Sequence, residues 1–195
     1  MSDTRTDVPD AKLAEIGIPA RYLSARLTDF GPNILALLGD LSAEDGYFIT
    51  GPAGTGKTHL AAAVLREWIV SGRAADRRSP WLRDRAGFVT FPALLLALRG
   101  TFGRSGGEDY LIQRHLSIRL LVLDDFGAEK ATEWALSTAY LVISERINRM
   151  HPLIVTANLA LAEIDILDPR LASRLGGLRV VELWGRDRRM KGGKP

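Results

Sequence analysis

The chain has 195 residues, 46% of them hydrophobic, with 26 Lys and Arg against 23 Asp and Glu for a formal charge of +3, and it contains no cysteine. That length predicts one α/β domain with a well-buried core, and the missing cysteine excludes a disulfide framework or a thiolate metal site. The opening Met1-Ser2-Asp3-Thr4-Arg5-Thr6-Asp7 lacks the layout of a secretory leader, and the longest apolar run, Pro92–Leu98, is too short to cross a bilayer; a cytoplasmic location without a membrane partner is expected.

Ala11–Ile16 suits one short helix, after which Ile18-Pro19-Ala20-Arg21-Tyr22 breaks into an extended crossing segment. Residues 1–45 are therefore expected to be an N-terminal extension with lead-in helices, with no room for a separately folded domain. The apolar strand Gly46-Tyr47-Phe48-Ile49-Thr50 then feeds Gly51-Pro52-Ala53-Gly54-Thr55-Gly56-Lys57-Thr58, which runs into a helix, Thr58–Val70. Glycines let the backbone wrap an anion with its N–H groups inward, and the helix N-terminus aims its positive dipole end at the same place. This arrangement points to a nucleoside triphosphate. Lys57 supplies a point charge for the β- and γ-phosphates and Thr58 a hydroxyl for Mg²⁺. His59 ends the nucleotide-binding stretch that starts at Gly51; with His115 and His151 it shares no metal-ligand spacing, and none of the three is assigned a catalytic task.

Arg73, Arg77, Arg78, Arg83 and Arg85 outweigh Asp76 and Asp84 in an expected surface loop. A second strand, Phe88–Phe91, precedes a Leu-rich helix and the Gly/Ser-rich Gly100–Gly107 loop. The third, Leu120–Leu123, shows no polar alternation, as a doubly covered central strand should not, and it ends in Asp124-Asp125. A carboxylate at the tip of a buried strand is costly unless it serves a cation, so Asp124 is read as a Mg²⁺ ligand beside Thr58. Asp125 is read as the base for the attacking water. It is one methylene shorter than glutamate, so slow hydrolysis is expected.

Thr132–Met150 is the longest helical pattern, with Trp134, Leu136, Tyr140, Leu141, Ile143 and Ile147 as its inner stripe. Strand Leu153–Thr156 ends near Asn158, which can donate to a γ-phosphate and hold water. Asp168 and Pro169 open a short helix carrying Arg170 and Arg174 four residues apart, where they form either a solvated face or a pair offered to the nucleotide of a neighbouring subunit. A fifth strand, Arg179–Leu183, leads to a tail, residues 186–195, with five basic residues and one acidic one. This tail nets +4, so the rest of the chain carries −1; it is either a solvated end or a nucleic-acid contact. Five strands alternating with helices predict an α/β fold with a parallel five-stranded sheet flanked by helices.

The order of these motifs resembles the AAA+ ATPases, and within them the DnaC/IstB group of replicative-helicase loaders and transposition helper ATPases. The match rests on Ile18–Tyr22, the loop Gly51–Thr58, Val89-Thr90-Phe91-Pro92, Leu121–Gly127, Thr156-Ala157-Asn158, Ala172-Ser173-Arg174-Leu175 and the ending Leu183–Arg189. The resemblance implies a P-loop NTPase domain over residues 46–185 that hydrolyses ATP with Mg²⁺. It makes Lys57, Asp125, Asn158 and Arg174 the catalytic set. Asn158 is the first sensor, and Arg174 is the finger acting in trans within a homo-oligomer, with Arg170 a weaker candidate. It also places single-stranded DNA contacts in Leu94–Gln113, where Arg99, Phe102 and Arg104 combine charge and aromatic surface, and it names a replicative helicase as partner. Only 21 residues follow Arg174, so no C-terminal helical lid is expected. The alternatives are a transposition helper on double-stranded DNA and an ATP-dependent switch that binds protein and not DNA.

Overall fold

The computed structural model describes residues 8–39, 46–71, 81–103, 106–127 and 132–185. The basic tail 186–195, Arg73, Asp76, Arg77 and Arg78 of the arginine cluster, and Arg104 lie outside the described residues. Five strands, β1 (Gly46–Thr50), β2 (Ala86–Thr90), β3 (Leu120–Phe126), β4 (Leu153–Ala157) and β5 (Arg179–Glu182), form one parallel sheet in the order β2-β3-β4-β1-β5. Every residue of β1 and β4 is buried, because helices cover both faces. The expected α/β architecture is the one observed, with the strand ends adjusted. Phe91 does not end β2 but starts helix α4 (Phe91–Arg99), since the Thr90 hydroxyl accepts the Ala93 N–H and Pro92 suits a first helical turn.

Side chains alternate across the sheet. Tyr47, Ile49, Val122 and Ile154 face α3 (Lys57–Val70) through Leu60, Ala61 and Leu65, whereas Phe48, Leu121, Leu123 and Val155 face α4, α6 (Glu133–Asn148) and α8 (Pro169–Gly176). The N-terminal segment joins the first of these cores. Leu13 of α1 (Asp10–Glu15), Ile16, Ile18, Ala25, Phe30 and Leu38 of α2 (Pro32–Leu38) are all buried in it.

This segment runs as a strap from the edge of β2 to the end of the phosphate loop. The Phe88 N–H donates to Ile16 O at 2.8 Å. Gly17, at φ +98°, lies so close to the strand that a Cβ would sit 2.1 Å from Phe88 O, so a larger residue would push the strap off the sheet. Arg66 of α3, 3% exposed, donates to Leu23 O at 2.7 Å and ties down the middle of the strap.

Helix α6 departs from the expected stripe. Its buried residues are Ala135, Thr138, Ala139, Val142, Ile143, Ser144 and Arg146, and only Ile143 of the predicted set is fully buried. Small alanines face the sheet, so the bulky side chains are displaced to the flanks. Trp134, Leu136, Tyr140 and Ile147 are half-buried against neighbouring helices, and Leu141 is exposed.

Arg146 is completely buried and has no carboxylate partner among the described residues. Its guanidinium donates to the carbonyls of His115, Ile118, Arg119 and Pro152 at 2.7–3.1 Å. It thereby joins the end of α5 (Gly107–Ser117) to the starts of β3 and β4. Burial brings its pKa down to about 9.

Candidate functional site

Between β1 and α3 the chain folds into the anion-binding loop that its glycines require. Gly51 has φ +140°, and a Cβ there would lie 2.1 Å from Leu183 O at the end of β5; only glycine lets the loop leave the sheet this close to its neighbour. Gly56 caps α3 without a side-chain hydrogen bond, so the first-turn N–H groups are presented to a ligand. Lys57 is 7% exposed, and its Nζ donates to Gly51 O at 2.7 Å and Pro52 O at 2.8 Å, folded along the loop it serves.

Two motifs far apart in sequence meet beside the loop. Thr58 Oγ1 donates to Asp124 Oδ2 at 3.3 Å, and Thr156 Oγ1 donates to Asp124 Oδ1 at 2.6 Å. Asp124 is 4% exposed, and burial pushes its carboxyl above the ordinary range against the pull of these two hydroxyls. A hydroxyl and a carboxylate side by side are hard oxygen donors that fit Mg²⁺. Among the described residues no group of three or more His, Cys, Asp or Glu side chains is placed to hold a metal ion.

A cavity of about 270 Å³ opens over the loop. Gly54, Gly56, Lys57 and Thr58 form its floor, and Asp125, Thr156 and Asn158 form the wall supplied by the ends of β3 and β4. The sequence-derived candidates Lys57, Thr58, Asp125 and Asn158 are thus brought together, with Asp124 directly behind them. Arg21 and Tyr22 line the cavity as well, although neither was among the site residues expected from the sequence. His59 borders it too. Its Nε2 lies 2.7 Å from Asp29 Oδ2, and Tyr22 and Phe30 meet its ring edge-on. The strap therefore reaches the nucleotide cavity and is anchored there.

Arg174 does not line this cavity. It sits half-buried on α8 in a separate groove with Ile147, Met150, His151 and Leu178, and it makes no hydrogen bond or ion pair among the described residues. Arg170 is occupied. Its guanidinium bonds the Asp168 carboxylate at 2.8 and 3.1 Å and lies 4.8 Å from the Tyr140 ring centroid.

Arg99 and Phe102 meet at a residue that sequence reasoning had assigned to the core. The Arg99 guanidinium lies 5.0 Å from the Trp134 ring centroid, and Phe102, 58% exposed, packs edge-on against the same ring at 5.9 Å.

Residues 35–175 match the family described as IstB-like ATP binding protein. A putative ATP-binding protein in an insertion sequence of Mycobacterium tuberculosis is 34% identical over 130 residues, covering 65% of this chain and 45% of that protein. The replicative helicase loader DnaC of Escherichia coli is 25% identical over 131 residues, covering 66% and 49%. Among solved structures, a replication initiator DnaA bound to AMPPCP and single-stranded DNA superimposes with a TM-score of 0.66 at 22% identity, over 87% of this chain and 52% of that one. The chain spans about half the length of the curated relatives it matches. The fold is the AAA+ type of P-loop domain.

Proposed function

The chain belongs to the IstB-like ATP-binding protein family, and on that premise we propose that it hydrolyses ATP with Mg²⁺, assembles through ATP on single-stranded DNA, and helps to place a replicative helicase. The observation that carries the nucleotide chemistry is the meeting of Thr58 and Asp124 at the mouth of the phosphate loop. The loop N–H groups and Lys57 bind the phosphates, and Thr58 and Asp124 hold Mg²⁺, which neutralises phosphate charge when bound. Asp125 orients and deprotonates the attacking water, while Asn158 contacts the γ-phosphate. Arg174, which makes no hydrogen bond or ion pair among the described residues, completes the site of a neighbouring subunit by stabilising charge on the transferred phosphoryl group. In this reading residues 46–185 are the ATPase domain, residues 1–45 lead into it, and residues 186–195 form a basic tail. The protein acts in the cytoplasm; no helix among the described residues is long and apolar enough to cross a membrane.

The cluster of Arg99, Phe102 and Trp134 supports the single-strand reading, because unstacked bases can lie on aromatic rings beside a cation. The DnaC relative is named a replicative helicase loader, in keeping with that partner. A second reading, a transposition helper on duplex DNA, is favoured by the higher identity, 34%, to the insertion-sequence protein.

Fluorescence anisotropy of labelled single- and double-stranded oligonucleotides, with and without Mg²⁺·ATP and at two salt concentrations, separates these readings. An ATP-dependent preference for the single strand is expected. Preference for the duplex would replace the loader by the transposition helper, and no ATP-dependent binding to either would leave a protein-directed switch.

A further inference from the structure

The β3–β4 ladder slips where the two aspartates lie. Leu123 pairs with Val155 and Phe126 with Ala157, so Asp124 and Asp125 together face Thr156. Two residues opposite one make a bulge, which re-aims a side chain and removes a ladder hydrogen bond. A single hydroxyl takes the place of that bond: Thr156 Oγ1 accepts the Asp125 N–H at 2.9 Å while donating to Asp124 Oδ1 at 2.6 Å. Thr156 is 1% exposed, so no bulk water competes for either bond.

The backbone held this way is left-handed, a region that aspartate enters more readily than most residues other than glycine. Asp125 has φ +61°, in the left-handed region that side chains other than glycine seldom occupy. The same hydroxyl occupies one oxygen of Asp124 and leaves the other facing Thr58. We propose that Thr156 is a positioning residue for ATP hydrolysis, its hydroxyl holding the Asp124–Asp125 bulge so that Asp125 is turned into the nucleotide cavity and Asp124 Oδ2 toward Thr58. This inference rests on the ATPase reading above and assigns a task to a residue that reads, in sequence, as part of an apolar strand.

Thr156→Val keeps the β-branched shape and removes both bonds, and Thr156→Ser keeps the hydroxyl. A displaced base loses rate while the phosphate loop still binds nucleotide. The valine variant should therefore bind a fluorescent ATP analogue within about threefold of the parent and lose at least about tenfold in kcat, with serine restoring most of it. Amide hydrogen exchange of Asp125 provides a readout that needs no turnover: protection falls in Thr156→Val and is retained in Thr156→Ser. Thr156→Ala repeats both comparisons should the valine variant not fold. Parental kcat in the valine variant, or unchanged protection of the Asp125 amide, overturns the proposal. A parent protein without ATPase activity would instead overturn the proposed function, and the exchange comparison would still decide what Thr156 holds.

Discussion

Thr58 Oγ1 lies 3.3 Å from Asp124 Oδ2, joining two residues 66 positions apart in the chain. The contact exists because β1 and β3 both end at the same edge of a parallel sheet, with β4 between them. A helix N-terminus and a strand end then face one crevice, the usual place for a ligand in such sheets.

Lys57→Ala removes the buried cation that bridges Gly51 O and Pro52 O. Charge-assisted hydrogen bonds contribute about 1.5–3 kcal/mol, so nucleotide affinity should fall by at least about tenfold. Titration with a fluorescent ATP analogue measures this, and unchanged affinity would remove Lys57 from the site.

Arg174→Ala should leave nucleotide binding intact and abolish hydrolysis, because Arg174 lies outside its own subunit's cavity. For the same reason, parental activity per subunit should rise with protein concentration. Full ATPase activity in the variant, or a rate per subunit that stays flat on dilution, contradicts a finger supplied in trans.

Asp168 caps α8 by accepting the Arg170 and Leu171 N–H groups. The Arg170 guanidinium first, and then these amides, hold its carboxyl below the usual carboxylate range. A carboxyl whose pKa is depressed on folding stabilises in full above its unfolded value, near pH 4, and loses that contribution as pH falls through the lowered one. Asp168→Ala should therefore cost about 1 kcal/mol at pH 7, with a gap in urea midpoint that narrows toward pH 3.

Arg146→Met deprives four backbone carbonyls of their donor at the junction of α5, β3 and β4. Leaving them buried without a partner should cost on the order of 3 kcal/mol, read from urea unfolding, with Arg146→Lys recovering part of it. A neutral outcome would mean that the junction repacks.

Arg99→Ala and Trp134→Ala should each weaken single-stranded DNA binding by about tenfold. The two should differ in salt dependence. Loss of Arg99 lowers the slope of log affinity against log salt by about 1, whereas loss of Trp134 leaves it unchanged. Identical slopes in both variants would argue against a cation-and-aromatic contact.

The five strands, and the places of the Gly51–Thr58 loop, of the paired aspartates and of Asn158 at strand ends, were legible in the sequence because each rests on a local pattern of neighbouring residues. A Gly-rich turn between a strand and a helix, or a carboxylate ending an apolar run, means the same thing wherever the strand lies in the sheet. The stripe of α6 was read in part: Ile143 is buried and Trp134, Leu136, Tyr140 and Ile147 pack against the same core, whereas Leu141 is exposed and the small Ala135 and Ala139 are buried in place of bulkier residues. Amphipathic spacing gives a helix face without saying how deeply each side chain on it will be covered. Tertiary structure alone decided that Arg21 and Tyr22 reach the cavity, that Arg146 holds carbonyls as many as 31 residues away, and that Thr156 bridges two aspartates across a slipped register. Each of these depends on where two distant stretches of backbone are brought side by side, and that placement is set by the packing of the whole sheet and its helices.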